Sequence, residues 1–423
     1  MKYLLLVSLL FSSTFAFDAN EDGKKDRHKS VRKAVDSFGK FEVKEVSAVN
    51  QFRSMFEDGK VTGQLRMVSA ANEFKKSGES NNYASALGGT LKFELASLNG
   101  FNAAFALTTS QDVKFATGDG IKANPELSST QGDYSQLSEA YLNYTYEDLN
   151  IRVGRQVLDT PLADSDDIRM IQNSFEAYIA SYKYAGFEFL AGNIQQWQGV
   201  DAGLDDGWKQ IGDNGVWLAG VTYTGEVEGN AWYYDIPTVG AQTKAIYVDL
   251  GANYTVNDDL SFHGVVQYLH ESEMTNSVTA SDVYGVLAES VIYGLGINLA
   301  YNKSLKIDNK QTFAGVGGGT LFTSMDTVTL DVVAIDREVD AIVAGLVYNY
   351  EDFNFLYAYG DFNGKKNSAG VKEHITEQDI SCEYSVNDEF VIAGIYVIAR
   401  DLQNDVKTDN DWNRAQFMMK YNF

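Results

Sequence analysis

The last eleven residues, 413–423, constrain the fold most because they alternate with a period of two. One face of this segment carries four apolar residues, Phe417, Met419, Tyr421 and Phe423. A strand turns successive side chains to opposite faces, so a barrel in lipid presents every second residue to hydrocarbon and the others to its lumen. The pattern therefore predicts the closing strand of an outer-membrane β-barrel. The alternative is an amphipathic edge strand of a soluble domain.

The first sixteen residues have the pattern of a secretory signal peptide. Lys2 supplies a basic start, residues 3–15 form an apolar run too short to span a bilayer, and Thr14-Phe15-Ala16 is a small-residue cleavage site. We therefore expect export, with the mature chain beginning at Phe17. No other stretch is long and apolar enough for a transmembrane helix, so a membrane-embedded chain of this sequence has to cross as strands.

Composition favours strands over a catalytic domain. The 423 residues include 25 Tyr and 24 Phe but three Pro. Aromatic residues form girdles at membrane interfaces, whereas proline is excluded from strand ladders. One cysteine and four histidines leave little material for a thiol or imidazole site, and a net charge of -24 argues against a nucleic-acid partner. We therefore expect no enzyme activity and no nucleic-acid binding.

Pairs of strands joined by tiny polar turns recur along residues 60–423, with longer loops between successive pairs. Tyr146-Glu147-Asp148-Leu149-Asn150 nearly repeats as Tyr350-Glu351-Asp352-Phe353-Asn354, and we count eight such turns, one of them at 302–304. That turn separates predicted strands at 290–302 and 304–314. Outer-membrane barrels combine short periplasmic turns with longer extracellular loops, which predicts an all-β transmembrane antiparallel barrel of about 18 strands.

Residues 17–59 lie outside this rhythm, and their dense charge and spaced apolar residues predict a partly helical periplasmic segment. Near its start, four oxygen-bearing side chains precede and follow Gly23 with the spacing of a calcium loop: Asp18, Asn20, Asp22 and Asp26. An EF-hand needs an acidic residue at its twelfth position, which is Lys29 here. Ca²⁺ is thus a candidate ligand, and a plain acidic turn is the alternative.

Residues 153–177, VGRQVLDTPLADSDDIRMIQNSFEA, are the most distinctive stretch of the chain. They resemble the third-loop region of the OprD-like porins, which are substrate-selective outer-membrane channels of Gram-negative bacteria, in their epsilonproteobacterial form. Residues 56–66 similarly resemble the start of the family's first strand. Gln172 is a departure, because the family pattern has a proline before Asn173.

The resemblance implies an 18-stranded barrel, monomeric or loosely trimeric, that is narrowed by an inward-folded third loop. Charged side chains at such a constriction set the selectivity of a pore. The candidate constriction residues of the loop are Asp159, Asp164, Asp166, Asp167 and Arg169. The candidate residues of the pore wall are Arg66, Arg152, Gln156 and Lys183. A solvated surface loop that lies outside the pore is the alternative.

The sequence therefore predicts a Gram-negative outer-membrane porin for passive diffusion of small polar solutes and ions. Acidic loops concentrate positive solutes at the mouth, so a bias towards cations is expected. Further expected partners are outer-membrane lipid, lipopolysaccharide and the barrel-assembly machinery, which would read the apolar row ending at Phe423. The alternative function is a secreted or surface β-rich adhesin. The histidines have no accompanying nucleophile motif, so no enzyme is predicted.

Overall fold

The computed structural model describes residues 44–127, 132–205, 207–212, 214–238, 241–257, 259–275, 279–313, 315–317, 319–404 and 406–423. The predicted signal peptide and the candidate calcium turn with Asp18, Asn20, Asp22 and Asp26 lie outside the described residues. The first described element is the helix α1 (Lys44–Glu57). Within the described ranges, no helix is long and apolar enough to cross a membrane.

Eighteen long strands in the described part of the chain form one closed antiparallel barrel, which confirms the predicted fold. They are β1 (Lys60–Phe74), β2 (Asn82–Glu94), β3 (Phe101–Asp112), β4 (Tyr134–Tyr146), β5 (Leu149–Gln156), β6 (Ser174–Tyr184), β7 (Phe187–Gln198), β8 (Val216–Tyr223), β9 (Val227–Thr238), β10 (Ala241–Asn257), β11 (Leu260–Thr275), β12 (Ser281–Ile292), β13 (Leu295–Lys306), β14 (Val339–Tyr350), β15 (Phe353–Lys366), β16 (Lys372–Ser385), β17 (Phe390–Gln403) and β18 (Trp412–Asn422). Two-residue strands at Lys209–Gln210 and Val406–Lys407 pair antiparallel with the ends of β7 and β17.

The barrel closes between its first and last strands. β18 pairs antiparallel with β1 from Gln64 opposite Asn422 to Phe74 opposite Trp412. Beyond this ladder, the backbone N–H of Phe423 donates to the carbonyl of Gly63 at 3.0 Å, and the N–H of Gly63 donates back to Phe423 at 3.0 Å. The row predicted from alternation, Phe417, Met419, Tyr421 and Phe423, faces the outside of the barrel.

Burial alternates along the strands as the two-residue period predicts. On β11, Phe262 and Val266 are exposed on the outside, whereas Val265 and Gln267 are buried on the lumen side. β10 repeats the pattern, since Ile246, Val248 and Leu250 are exposed outside. An apolar exterior around a partly polar lumen is the arrangement of barrels that lie in a bilayer.

The predicted turn at 302–304 is wrong. The structure places the turn at Tyr293 and Gly294, which have φ values of 49° and 80°. Two-residue hairpin turns favour such positive φ values because their twist matches that of the strands. Asn302 instead lies within β13, where its Nδ2 donates to Gln267 Oε1 at 2.9 Å. β12 and β13 are thus shifted towards the N-terminus, and the strand count is unchanged.

The connections at the other end of the barrel vary more in length than predicted. β9 and β10 extend so far that two residues separate them, where a longer loop was expected. Four connections are long, and described residues of each pack against the lumen side of the strands: the second loop (113–133, with short 3₁₀ turns), the third loop (157–173), the fourth loop (199–215) and the seventh loop (307–338). The seventh loop contains the short helix α2 (Leu330–Val333).

The third and seventh loops both fold into the barrel. Leu162 in the third loop donates its backbone N–H to the Tyr234 hydroxyl of β9 at 3.3 Å. In the seventh loop, the Thr320 carbonyl accepts a hydrogen bond from Gln267 of β11 at 2.9 Å. Apolar residues of both loops join lumen-facing strand residues in one buried cluster that includes Leu162, Phe175, Trp232, Leu321 and Phe362. The predicted inward third loop is therefore present, and the seventh loop accompanies it.

Candidate functional site

A cavity of about 1930 Å³ occupies the barrel between its short turns and the two inward loops. We call it the vestibule. Its mouth is lined by short-turn residues such as Glu147, Asp148 and Glu351. Its roof is formed by Asp159 of the third loop and Phe322 of the seventh, among others. The vestibule is large enough to hold small solutes together with water, because a drug-sized pocket occupies about 300–1,000 Å³.

Carboxylates dominate the lining of the vestibule. Ten of its described lining residues are acidic: Glu147, Asp148, Asp159, Asp164, Glu188, Glu228, Asp249, Asp259, Glu289 and Glu351. The lysines and arginines among the described lining residues are Arg152 and Lys183. The Lys183 ammonium lies 3.7 Å from Glu188 at the exposed end of the wall. An excess of fixed negative charge in a confined space raises the local concentration of cations.

Three of the four predicted wall residues line the vestibule. Arg152 lies on the lumen side of β5, where its Nε donates to Asn143 Oδ1 at 3.3 Å and its guanidinium lies 4.5 Å from the centre of the Tyr141 ring. Gln156 is buried, and its amide donates to the carbonyl of Ala177 at 3.1 Å. Gln156 therefore joins the end of β5 to β6. Arg152 contributes a positive charge that no carboxylate contacts within the described residues.

His263 connects two acidic residues of the vestibule wall. Its Nε2 lies 2.6 Å from Glu228 Oε1, and its Nδ1 lies 2.7 Å from Glu289 Oε2. Asn298 donates to the other oxygen of Glu289 at 3.0 Å. The bridge ties β9, β11 and β12 together and fixes the acidic side chains. Among the described residues, no group of acidic, histidine or cysteine side chains is arranged to hold a metal ion.

Arg66 lies beside the third loop instead of lining the vestibule. Its Nη2 is 2.6 Å from Asp167 Oδ2, and its Nη1 donates to the carbonyl of Arg169 at 2.5 Å. The Arg66 residue is 1% exposed, so these contacts satisfy a charge that is removed from water. The structure thus brings together three residues predicted from sequence, and they join β1 to the third loop.

Arg169 lies in a buried cluster of charges contributed by three loops and β18. Its Nε donates to Glu126 Oε2 of the second loop at 2.7 Å, and its Nη1 donates to Asp326 Oδ1 of the seventh loop at 3.3 Å. Arg414 of β18 contacts the same two carboxylates. We call these four residues the charge cluster. Burial opposes the charge of Arg169, but the carboxylates of Asp326 and Glu126 nevertheless raise its pKa, so the guanidinium stays ionised.

The third and seventh loops are joined by main-chain hydrogen bonds. The N–H of Asp164 donates to the carbonyl of Val316 at 3.0 Å, and the N–H of Val316 donates to the carbonyl of Leu162 at 3.0 Å. The Asp164 side chain points back into its own loop, where Oδ1 accepts from the N–H of Asp166 at 2.7 Å. Asp159 similarly accepts from the N–H of Ser165 at 3.0 Å. These aspartates therefore shape the loop as well as charging it.

The structure adds residues that the sequence did not single out. The carboxylates that pair with Arg169, Glu126 and Asp326, lie 43 and 157 positions away in the chain, and Arg414, which contacts the same carboxylates, lies 245 positions away. The loops contain many carboxylates, so residue type alone does not show which of them pair with Arg169. The bridge at His263 was also missed, because Glu289 lies just outside the predicted strand 290–302. A turn predicted at Tyr293 and Gly294 would have placed Glu289 in the strand that ends before it.

Third-loop stability is expected to fall as the pH rises from about 4 to about 8. Burial, together with the carboxylate of Asp201, raises the pKa of Asp166 to about 8. An unfolded aspartate titrates near pH 3.9, so between these values the unfolded chain releases a proton that the folded loop keeps, and folding is progressively disfavoured. Limited proteolysis of the loop at pH 5 and pH 8.5 measures this difference.

Asp166→Asn is expected to flatten this pH dependence because the amide cannot lose a proton. Asp119→Asn, at an exposed site of the second loop, is the matched control and should leave it unchanged. An equal pH dependence in the parent protein and Asp166→Asn would contradict the assignment.

Comparisons with known proteins give a result at the level of structure. No family model matches the sequence, and no curated protein matches it. Solved structures match along most of the chain: OccAB3 of Acinetobacter baumannii has a TM-score of 0.75 at 12% identity and covers 87% of this chain and 99% of its own. The outer membrane protein OpdK of Pseudomonas aeruginosa has a TM-score of 0.73 at 14% identity and covers 87% and 99%. The chain has the fold of the OprD-like porins.

Acinetobacter baumannii OccAB2 agrees, with a TM-score of 0.73 at 13% identity over 88% of this chain and 99% of its own. At such identities the likeness concerns the fold, so it supports the architecture that the resemblance of residues 153–177 implied. The epsilonproteobacterial type stays a prediction.

Proposed function

We propose that this chain is an outer-membrane porin through which small polar solutes and ions diffuse without energy coupling. The observation that carries the proposal is a closed barrel whose apolar exterior surrounds a vestibule of about 1930 Å³ lined by polar and charged side chains. A closed barrel satisfies its own backbone hydrogen bonds, which lets it reside in hydrocarbon. An adhesin has no use for a large internal vestibule, so that alternative is not favoured.

We further propose a preference for cations. Ten acidic side chains against one arginine and one lysine among the described lining residues give the vestibule a negative potential. Two of those acids, Glu228 and Glu289, flank His263, so their charge is shared with the imidazole. Asp159 at the roof and the mouth residues Glu147, Asp148 and Glu351 have no cationic partner in the described contacts. Their negative charges therefore act directly on entering solutes.

Planar-bilayer recording of the purified protein tests both parts of the proposal. A porin gives stepwise current increases as single channels insert, and a salt gradient across the bilayer gives a reversal potential whose sign reports ion preference. We expect discrete steps and a cation-selective potential. The absence of conductance from correctly folded protein would overturn the porin proposal, whereas a zero or anion-selective potential would overturn the cation preference alone.

Two substitutions in the vestibule should move ion selectivity in opposite directions. Asp159→Asn removes an exposed negative charge from the roof, so the permeability ratio of K⁺ to Cl⁻ should fall, by roughly twofold for one partly screened charge. Arg152→Gln removes a positive charge from the wall, so the same ratio should rise by a similar factor. The reversal potential in a KCl gradient measures both.

The two variants serve as controls for each other. Each removes one charge from the same cavity, so a general disturbance of the barrel would change both ratios in the same direction. Shifts of equal sign would therefore contradict the assignment of these side chains to the conducting path.

A further inference from the structure

We propose that α1 is a membrane-surface helix that lies against the outer wall of the barrel and inserts its apolar face into lipid at the short-turn end. The proposal rests on the barrel spanning a bilayer, as proposed above. It differs from the periplasmic location that the sequence suggested for residues 17–59, because the helix would lie in the plane of the membrane surface.

The helix docks on the outside of the barrel. Met55 is 7% exposed and packs with Leu95 and Ala103. Ala103 belongs to the outward row of β3, since its neighbours in that row, Phe101 and Phe105, are exposed on the exterior. The carbonyl of Met55 also accepts a hydrogen bond from the N–H of Ala96, in the short turn after β2, at 2.9 Å. This contact fixes α1 at the end of the barrel where the short turns lie.

The rest of the apolar face of α1 has no protein cover in the described structure. Val49, Phe52 and Phe56 are 66%, 58% and 48% exposed. They are three or four residues apart, so they share one side of the helix. Large apolar side chains at this exposure mark a surface that meets lipid or another apolar partner.

The exposed apolar face continues the lipid-facing surface of the barrel. The Phe52 and Phe56 rings are in edge contact, with their centres 5.5 Å apart. Phe56 in turn stacks on Phe93, with ring centres 6.4 Å apart, and Phe93 points outward from β2. Nearby, Phe101 and Tyr144 form an outward aromatic pair with ring centres 4.5 Å apart, as in an interfacial girdle. Lipid that covers the barrel wall would therefore also cover α1.

The side of the helix next to this apolar face is polar. Asn50 is exposed, and Arg53 and Glu57 form an exposed ion pair at 2.8 Å. A helix with one apolar and one charged face is suited to the boundary between headgroups and acyl chains. A second copy of the chain is a less suitable occupant, because it would have to displace lipid from the adjoining barrel wall as well.

Spin labels on the two faces of α1 test the proposal. The native cysteine is first replaced by Cys382→Ser, and single cysteines are then introduced by Phe52→Cys, Val49→Cys and Asn50→Cys for nitroxide labelling. The full chain is folded into phospholipid vesicles, and collisions of each label with O₂ and with a water-soluble nickel chelate are measured by power saturation. Oxygen concentrates in hydrocarbon, whereas the nickel complex stays in water.

We expect labels at residues 52 and 49 to collide mainly with oxygen and the label at residue 50 to collide mainly with nickel. Equal nickel accessibility at all three sites would place the helix in water and overturn the proposal. Protection of residues 49 and 52 from both reagents would mean a protein cover, and would overturn it too. Two probes on the apolar face keep the test decisive if one variant folds poorly. Conductance of the same vesicles shows separately whether the channel proposal holds.

Discussion

Arg169→Met is expected to raise single-channel conductance and to make the open current noisy. The side chain of Arg169 is 6% exposed and binds Glu126 and Asp326, so its removal leaves two carboxylates with Arg414 as the remaining cation of the charge cluster. Breaking a buried ion pair from one side costs about 3–5 kcal/mol when the charge left behind has no other partner, and the cost is smaller here because Arg414 still contacts both carboxylates. The second, third and seventh loops then lose the contact that they share.

A matched control is available in the same hairpin. Arg155 forms a looser pair with Glu176 at 3.5 Å, one-third exposed, on the exterior of the barrel. Arg155→Met should therefore leave conductance and noise at parental values. Arg169→Lys should give an intermediate result, since an ammonium keeps the charge but lacks the planar fork that reaches two carboxylates. Parental traces from Arg169→Met would show that the charge cluster does not hold the loops.

The strand architecture could be predicted because lipid imposes a simple rule on it. Every second side chain of a strand meets hydrocarbon, so the two-residue period is visible even in single strands such as β10 and β11. The short turns punctuate that period with Asn, Asp and Gly. The number of strands and the inward third loop followed from these signals and from the resemblance of residues 153–177.

The shift of β12 and β13 shows where the rule fails. The alternation continues through Asn302, whose side chain faces the lumen and donates a hydrogen bond to Gln267. A polar residue such as asparagine is compatible with a lumen-facing strand position as well as with a turn. Asn302-Lys303-Ser304 has the polar composition of a turn, whereas Tyr293-Gly294 has only its glycine to indicate one. The actual turn has positive φ values at both Tyr293 and Gly294, and a tyrosine rarely adopts such a value, so its sequence does not indicate the turn.

The site was predictable only in part, for a related reason. The third loop carries a recognisable sequence, so Asp159, Asp164, Asp166, Asp167 and Arg169 could be named as candidates. The partners of these residues come from distant segments, and their identity depends on which loops fill the lumen together. The seventh loop is the main omission: its glycines and its apolar residues allow it to pack inside the barrel, and the sequence did not indicate this.

Gly317→Ala is expected to widen the channel by separating the third loop from the seventh. Gly317 has a φ of +93°, and an added Cβ would lie 2.0 Å from the carbonyl oxygen of Asp164. That distance is far below van der Waals contact and the obstacle is backbone, so one loop has to move away from the other. The hydrogen bonds between Asp164, Val316 and Leu162 would then be lost. Liposome swelling with sugars of increasing size measures the expected rise in the size limit, and bilayer recording measures the higher conductance.

Gly370→Ala separates this steric effect from the cost of the backbone conformation. Gly370, in the loop between β15 and β16, has a φ of +78°, and an added Cβ would meet no heavy atom within 4 Å. Both variants therefore carry a left-handed strain of about 1–2 kcal/mol, but only Gly317→Ala collides with the third loop. The size limit should change in that variant and stay at the parental value in Gly370→Ala. Equal behaviour of the two would mean that the contact between the loops does not set the width of the channel.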